Sequence, residues 1–422
     1  MSEVIKIEGQ HKLKGTIRVS GSKNATVALI PAAVLAMNQK VTIYGVPEID
    51  DVDSLIELLE ELNCVVTQED DTLIIDPINM KNVPLVSKAV NKLRASYYFM
   101  GALLGKYKEV QMMMPGGCYL GPRPIDLHLK GFEALGATVK FENGNYVIRA
   151  EELIGNKIYL DVSSVGATIN IILAAVYAKG KTIIENAAKE PEIIDVVNML
   201  TRMGAQIRGA GTSVITIEGV SELNGANHEI IPDRIVSGTY LIIAAATAED
   251  ILIENIIPHH LEALISKLEE MGVEMEVGID SIRVRGHHGL KAVDIQTLPY
   301  PGFATDLQQP LTTLLTQAEG QSGVRETIYA ERFKHVQELH RMGANIHLSP
   351  AQAIINGPTE LTGNLVTATD LRCGAALIVA GLIAKGTTTV DDIYHIDRGY
   401  DRIDEKLREL GAVIYRVPKE ND

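Results

Sequence analysis

Cys118 lies in the stretch Met114-Pro-Gly-Gly-Cys-Tyr-Leu-Gly-Pro-Arg-Pro124. Its glycines and prolines interrupt helix and strand alike, so it reads as a loop. Glycine lets the backbone approach a ligand closely. Arg123 sets a permanent cation a few residues from the sulfur, which favours thiolate and attracts anions. Further basic and polar groups recur at regular distances: Lys23-Asn24, Arg94, Ser164-Val-Gly166, Arg234, Thr305-Asp306 and Arg372. From Lys23 to Arg94, Ser164, Arg234, Asp306 and Arg372 the steps are 71, 70, 70, 72 and 66 residues. Each stands where an apolar, alanine-rich run begins, as in Ala167 to Ala178, Gly238 to Ala246 and Ala375 to Ala384. A helix apolar nearly all round is buried, and its amino terminus offers unpaired N–H groups and a positive dipole end. Basic residues there oppose the dipole and call for an anion. Asp306 alone also reads as a helix cap, since Asp is favoured there.

The elements that position these residues follow from a second periodicity. An amphipathic helix ends and a strand begins at Asn63, Gly136, Gly204, Gly272, Gly343 and Gly411, with steps of 73, 68, 68, 71 and 68. Gly, or once Asn, supplies the left-handed residue that closes such a helix. Each unit of about 70 residues thus reads strand, buried helix, strand, amphipathic helix, strand. Six units in 422 residues suit two domains of three units. If three buried helices pack side by side in each domain, their starts converge, and a cleft lined by basic groups suits an anionic substrate.

Composition narrows the class. Hydrophobic residues make up 46% and charged residues 22%, a soluble globular balance. A net charge of −15 argues against a general nucleic-acid binder. No signal peptide or membrane span is visible, so a cytoplasmic protein without membrane association is expected. Cys64, Cys118 and Cys373 show no metal-ligand spacing, and the adjacent pairs His259-His260 and His287-His288 suit turns better than coordination. Cys64 takes a slot usually filled by alanine and reads as buried. No triphosphate-binding loop is present. No metal and no cofactor is expected.

The residues in order resemble the UDP-N-acetylglucosamine 1-carboxyvinyltransferases, a family of enolpyruvyl transferases. The marks are Gly21-Ser-Lys-Asn24, Pro115-Gly-Gly-Cys118, Gly121-Pro-Arg-Pro-Ile-Asp-Leu-His128 and Ser164-Val-Gly-Ala-Thr168. They continue with Gly302-Phe-Ala-Thr-Asp306, Arg332-Phe333, Asp370-Leu-Arg372 and His395-Ile-Asp-Arg-Gly-Tyr400. The resemblance covers essentially the whole chain. It implies transfer of the enolpyruvyl group of phosphoenolpyruvate to the 3′-hydroxyl of UDP-N-acetylglucosamine, with release of phosphate, at the entry to peptidoglycan precursor synthesis. It also implies an α/β (α+β) fold, a two-domain inside-out α/β barrel with three repeats per domain. Residues 20–229 would form one domain, and residues 1–19 with 230–422 the other. A monomer is expected.

Residue by residue, the resemblance makes Cys118 the acid at the methylene carbon, Asp306 the base at the sugar hydroxyl, and Lys23 and Arg398 catalytic cations. Lys23, Asn24, Arg94, Arg123, Arg332, Asp370, Arg372 and Arg398 would bind phosphoenolpyruvate. Asn24, Arg94, Arg123, Pro124, Ile125, Asp126, Leu127, Ser163, Ser164, Val165, Gly166, Asp306 and Ile328 would bind the UDP-sugar. The thiol of Cys118 would also be the site of alkylation by fosfomycin. One departure concerns the residues before Arg332-Phe333: relatives often carry Glu-Asn, this chain Ala330-Glu331. Two other readings share parts of this pattern. The sister enzyme acting on shikimate 3-phosphate has the same six-fold architecture but needs neither the cysteine loop nor a uridine site. A non-catalytic UDP-sugar-binding paralogue would not need Cys118, Asp306 and Lys23.

Overall fold

The computed structural model describes residues 2–116 and 125–419. Cys118, Arg123 and Pro124 lie outside the described residues. The chain divides into two compact units, one built from residues 21–231 and the other from residues 2–20 with 232–419. Each has its own hydrophobic core.

The continuous unit carries α1 (Lys23–Ala33), α2 (Asp50–Glu61), α3 (Lys88–Lys92), α4 (Tyr98–Tyr107), α5 (Asp126–Ala134), α6 (Val165–Ala175) and α7 (Pro191–Arg202). The second carries α8 (Arg234–Thr247), α9 (Glu262–Glu270), α10 (Gln308–Leu315), α11 (His335–Arg341), α12 (Leu371–Ile383), α13 (Tyr394–Asp397) and α14 (Ile403–Glu409). Helices α1, α4, α6, α8, α10 and α12 are buried almost throughout. Helices α8, α10 and α12 pack on one another, as α4 does on α1 and α6. The amphipathic helices end at Asn63, Gly136, Gly204, Gly272, Gly343 and Gly411, all with positive φ, from 60° at Asn63 to 113° at Gly204. A side chain there would strain the backbone, which is why glycine dominates.

Strands surround the buried helices in separate sheets, and no closed barrel is present among the described residues. The pattern differs from the expected repeat in one respect. After α2, α5, α7, α9 and α11 the chain makes a two-stranded hairpin, whereas after α14 the single strand Val413–Pro418 pairs with Glu3–Glu8, so a full sheet has four strands. In the last sheet the order is Leu365–Thr367, Thr387–Asp391, Glu3–Glu8, Val413–Pro418. The amino-terminal strand therefore lies between two strands from the other end of the chain, antiparallel to both. Leu13–Arg18 likewise adds a parallel edge to Ala248–Glu254.

Candidate active site

In the unit containing the carboxy-terminal half, three predicted residues meet directly. Asp306 sits in a turn, Thr305–Leu307, just before α10. Its side chain does not cap the helix, so that alternative is set aside. Instead Oδ1 accepts a 2.7 Å bond from Arg332 Nη1, and Oδ2 a 3.2 Å bond from Arg372 Nη2. Both arginine side chains are buried, 4% and 3% exposed, whereas Asp306 is 23% exposed. The carboxylate thus covers two buried cations and stays within reach of a ligand. Arg332 Nε has no hydrogen-bond partner among the described residues and is a donor in reserve.

Each cation is held from behind. Arg372 Nη1 donates to Tyr400 Oη at 3.1 Å, and that hydroxyl pairs with Thr239 Oγ1 at 2.9 Å. Burial works against charge on Arg372, but Asp306, Tyr400 and Asp233 outweigh it and its pKa is raised. Asp370 does not join the cluster through its side chain. It caps α12, Oδ1 accepting from the N–H groups of Arg372 and Cys373 at 2.9 and 3.0 Å. That cap fixes the turn from which Arg372 projects.

Arg398 follows α13 directly. The residue before it, Asp397, accepts two bonds from Arg416, at 2.9 and 2.6 Å. Tyr400 holds the same segment from the other side. Arg234, at the first turn of α8, lies over the Tyr300 ring at 5.4 Å.

Behind Asp306 lies a group the sequence did not mark. Glu326, 2% exposed, directly follows the strand Gly320–Arg325. Its Oε1 accepts from Thr297 Oγ1 at 2.7 Å, Thr305 Oγ1 at 3.1 Å, Ile328 N at 3.0 Å and Tyr329 N at 3.1 Å. Its Oε2 accepts from Thr305 Oγ1 at 3.0 Å and Gln308 Nε2 at 3.2 Å. Thr305 Oγ1 in turn accepts from Arg332 Nη1 at 3.0 Å, and Gln308 Nε2 also donates to the carbonyl of Arg332 at 2.9 Å. Ala330 and Glu331, the residues that depart from the family pattern, are both exposed.

In the continuous unit, Lys23 opens α1 behind its cap Ser22, whose Oγ accepts from Ala25 N at 3.1 Å. Lys23 Nζ is 3.2 Å from Asp51, a carboxylate only 2% exposed in the first turn of α2. A carboxylate from the protein therefore sits beside the lysine, as another does beside Arg372. Asn24 and Arg94 are half-buried, Arg94 leading the short turn Arg94–Tyr97.

Ser164 caps α6, accepting from Ala167 N at 3.2 Å, with Ser163, Val165 and Gly166 half-buried around it. A Cβ on Gly166 would lie 2.5 Å from Tyr97 Oη and about 3.0 Å from the His128 ring. Burial, with Arg94 nearby, pushes the His128 pKa down to about 3, so the ring is neutral. Asn170 settles which nitrogen carries the proton. Its Oδ1 accepts from Gly101 N at 2.8 Å, so Nδ2 faces Tyr97 O and His128 Nδ1, both at 3.0 Å. Nδ1 must then accept, and Nε2 carries the hydrogen. Ile125, Asp126 and Leu127 lead into α5; Ile125 is buried and Asp126 exposed.

Glu326, Tyr400, His128 and Asn170 escaped sequence reasoning as site-forming groups. His128 and Tyr400 belong to quoted motifs, which was the available signal. Asn170 is a single polar residue in an apolar run, and Glu326 lies in the mixed stretch Arg325-Glu-Thr327, so neither carried a signal. Among the described residues no cluster of His, Cys, Asp and Glu is arranged to hold a metal ion, and no helix is long and apolar enough to cross a membrane.

Comparison with known proteins bears on the whole chain. The family model described as EPSP synthase (3-phosphoshikimate 1-carboxyvinyltransferase) matches residues 7–407. The chain is 58% identical over 412 residues to UDP-N-acetylglucosamine 1-carboxyvinyltransferase 2 of Geobacillus kaustophilus, covering 98% of this chain and 96% of that one. It is 58% identical over 416 residues to the protein of the same name from Listeria monocytogenes, covering 99% and 98%. Among solved structures it is similar to the enolpyruvyl transferase NikO from Streptomyces tendae, with a TM-score of 0.91 and 26% identity over 98% of this chain and 99% of that one. EPSP synthase from Acinetobacter baumannii shares the fold, with a TM-score of 0.76 at 19% identity over 99% and 100% of the two chains.

Proposed function

Because the chain belongs to the EPSP synthase family of enolpyruvyl transferases, we propose that it transfers the enolpyruvyl group of phosphoenolpyruvate to the 3′-hydroxyl of UDP-N-acetylglucosamine. The observation that carries this reading is the near-full-length identity to relatives bearing that name. Likeness to the solved EPSP synthase of Acinetobacter baumannii, at 19% identity, is of fold alone.

The reaction adds the sugar oxygen to C2 of phosphoenolpyruvate while a proton reaches the methylene carbon. Phosphate then leaves as a proton is lost from the new methyl group, restoring the double bond. Asp306 is the base that takes the hydroxyl proton, and its partial exposure supports that role. Cys118 supplies the proton to the methylene carbon. The phosphate and carboxylate of phosphoenolpyruvate are held by Lys23, Arg94, Arg123, Arg332, Arg372 and Arg398, with Asn24 and Asp370 shaping the site. Lys23, Arg332 and Arg372 are each paired with a protein carboxylate, an arrangement suited to exchange for a substrate anion. Ser163 to Gly166 bind the diphosphate at the start of α6, where exposed N–H groups and the helix dipole favour it. Arg123, Pro124, Ile125, Asp126 and Leu127 hold the uracil, and Asn24, Arg94 and Ile328 the sugar. The reading includes a cytoplasmic location and a role in peptidoglycan precursor synthesis.

Phosphate release from phosphoenolpyruvate on addition of UDP-N-acetylglucosamine tests this. Release with shikimate 3-phosphate instead would overturn it, as would UDP-sugar binding without turnover.

A further inference from the structure

We propose that Glu326 is a positioning residue for the base: it fixes the turn carrying Asp306 and the loop carrying Ile328 in one arrangement. The inference rests on the proposed transferase activity. Five donor groups converge on the Glu326 carboxylate, and none of them is a cation: Thr297, Thr305, Gln308 and the N–H groups of Ile328 and Tyr329. An ordinary buried carboxylate pairs with a positive charge. Arg332, the nearest cation in this network, instead reaches the Thr305 hydroxyl and Asp306.

The geometry explains this division. Thr305 Oγ1 donates to Glu326 and accepts from Arg332, so the residue next to the base is held on both sides. The same carboxylate gathers two successive N–H groups of the segment leading to Arg332, and Gln308 ties it to the Arg332 carbonyl. Asp306 is therefore set against Arg332 by a network whose single hub is Glu326. A carboxylate suits the hub because it accepts at both oxygens. An amide would turn its NH2 group toward donors and leave some of them unpaired.

The test uses the full chain and phosphate release with phosphoenolpyruvate and UDP-N-acetylglucosamine. Glu326→Gln is expected to lower kcat about tenfold or more, the scale of a buried polar group left unsatisfied. Because Glu326 acts through Asp306, the double variant with Asp306→Asn should be no slower than Asp306→Asn alone. A merely structural role would slow both backgrounds equally. Should Glu326→Gln fail to fold, Thr305→Val removes the link itself and carries the same cycle. Wild-type kcat in the variant, or a loss that multiplies fully with that of Asp306→Asn, overturns the proposal. An inactive wild-type chain would instead refute the transferase reading.

Discussion

At the scale of single residues, the cysteines differ in their chemistry. Cys64 and Cys373 are buried. Burial pushes the Cys64 thiol up to about 11, with Lys106 pulling it back and Asp76 raising it. Burial, then Asp370, pushes Cys373 up to about 12. Only the thiolate reacts, so at neutral pH both are effectively inert. In the sequence Cys118 lies in a glycine-rich stretch five residues before Arg123. Fosfomycin or iodoacetamide at pH 7 should therefore alkylate Cys118 and spare the other two. Peptide mass mapping reads this directly, and label on Cys64 or Cys373 would contradict it.

At the scale of elements, the start of α6 is held open by the absence of a side chain. Gly166→Ala would drive a methyl into Tyr97 Oη and the His128 ring. That ring is itself fixed by Asn170, so it has little freedom to yield. The expected result is a KM for UDP-N-acetylglucosamine raised about tenfold or more, with destabilisation of about 1–3 kcal/mol from overpacking. Steady-state kinetics and urea unfolding measure the two effects. This element also marks where sequence reading succeeds. Helix ends were legible because left-handed caps demand Gly or Asn, and all six positions have positive φ. Cysteine at 64, in a slot filled by alanine in most repeats, was legible as core for the same reason. The partners of those elements were not legible. Asn170 meets His128 across 42 residues and Gly101 across 69. Glu326 acts through contacts that only the folded chain creates, so nothing in its neighbours announces it. The place of Glu3–Glu8 inside the last sheet was likewise invisible, since strand pattern does not encode partner order.

At the scale of the molecule, His128 and His228 are buried in one unit and His335 in the other, and for His128 and His335 burial lowers the pKa. Burial, with Arg94 nearby, pushes His128 down to about 3; burial, with Asp370 opposing and Arg332 assisting, does the same to His335. Both folded values lie below the unfolded value of 6.5, so stability is full above pH 6.5 and drains as pH falls toward 3. Each contributes roughly 1.4 kcal/mol per pH unit over that window. His128→Gln should flatten the acid side of the stability profile, which thermal melts from pH 7 to 4 would show. Chain topology makes a further demand. Residues 21–231 are continuous with a complete core, whereas residues 232–419 lack the strand between Thr387–Asp391 and Val413–Pro418. Ile5, Ile7, Leu13, Ile17 and Val19 are each at most 4% exposed and belong to the core of that second unit. Burial of about 1.5–3 kcal/mol per side chain makes their joint contribution roughly 7–15 kcal/mol, as large as the whole stability of a typical domain. A fragment of residues 21–231 should therefore unfold cooperatively in urea by circular dichroism, while residues 232–422 alone should not. Cooperative unfolding of the latter would mean that the amino-terminal strands are dispensable to the sheet they divide.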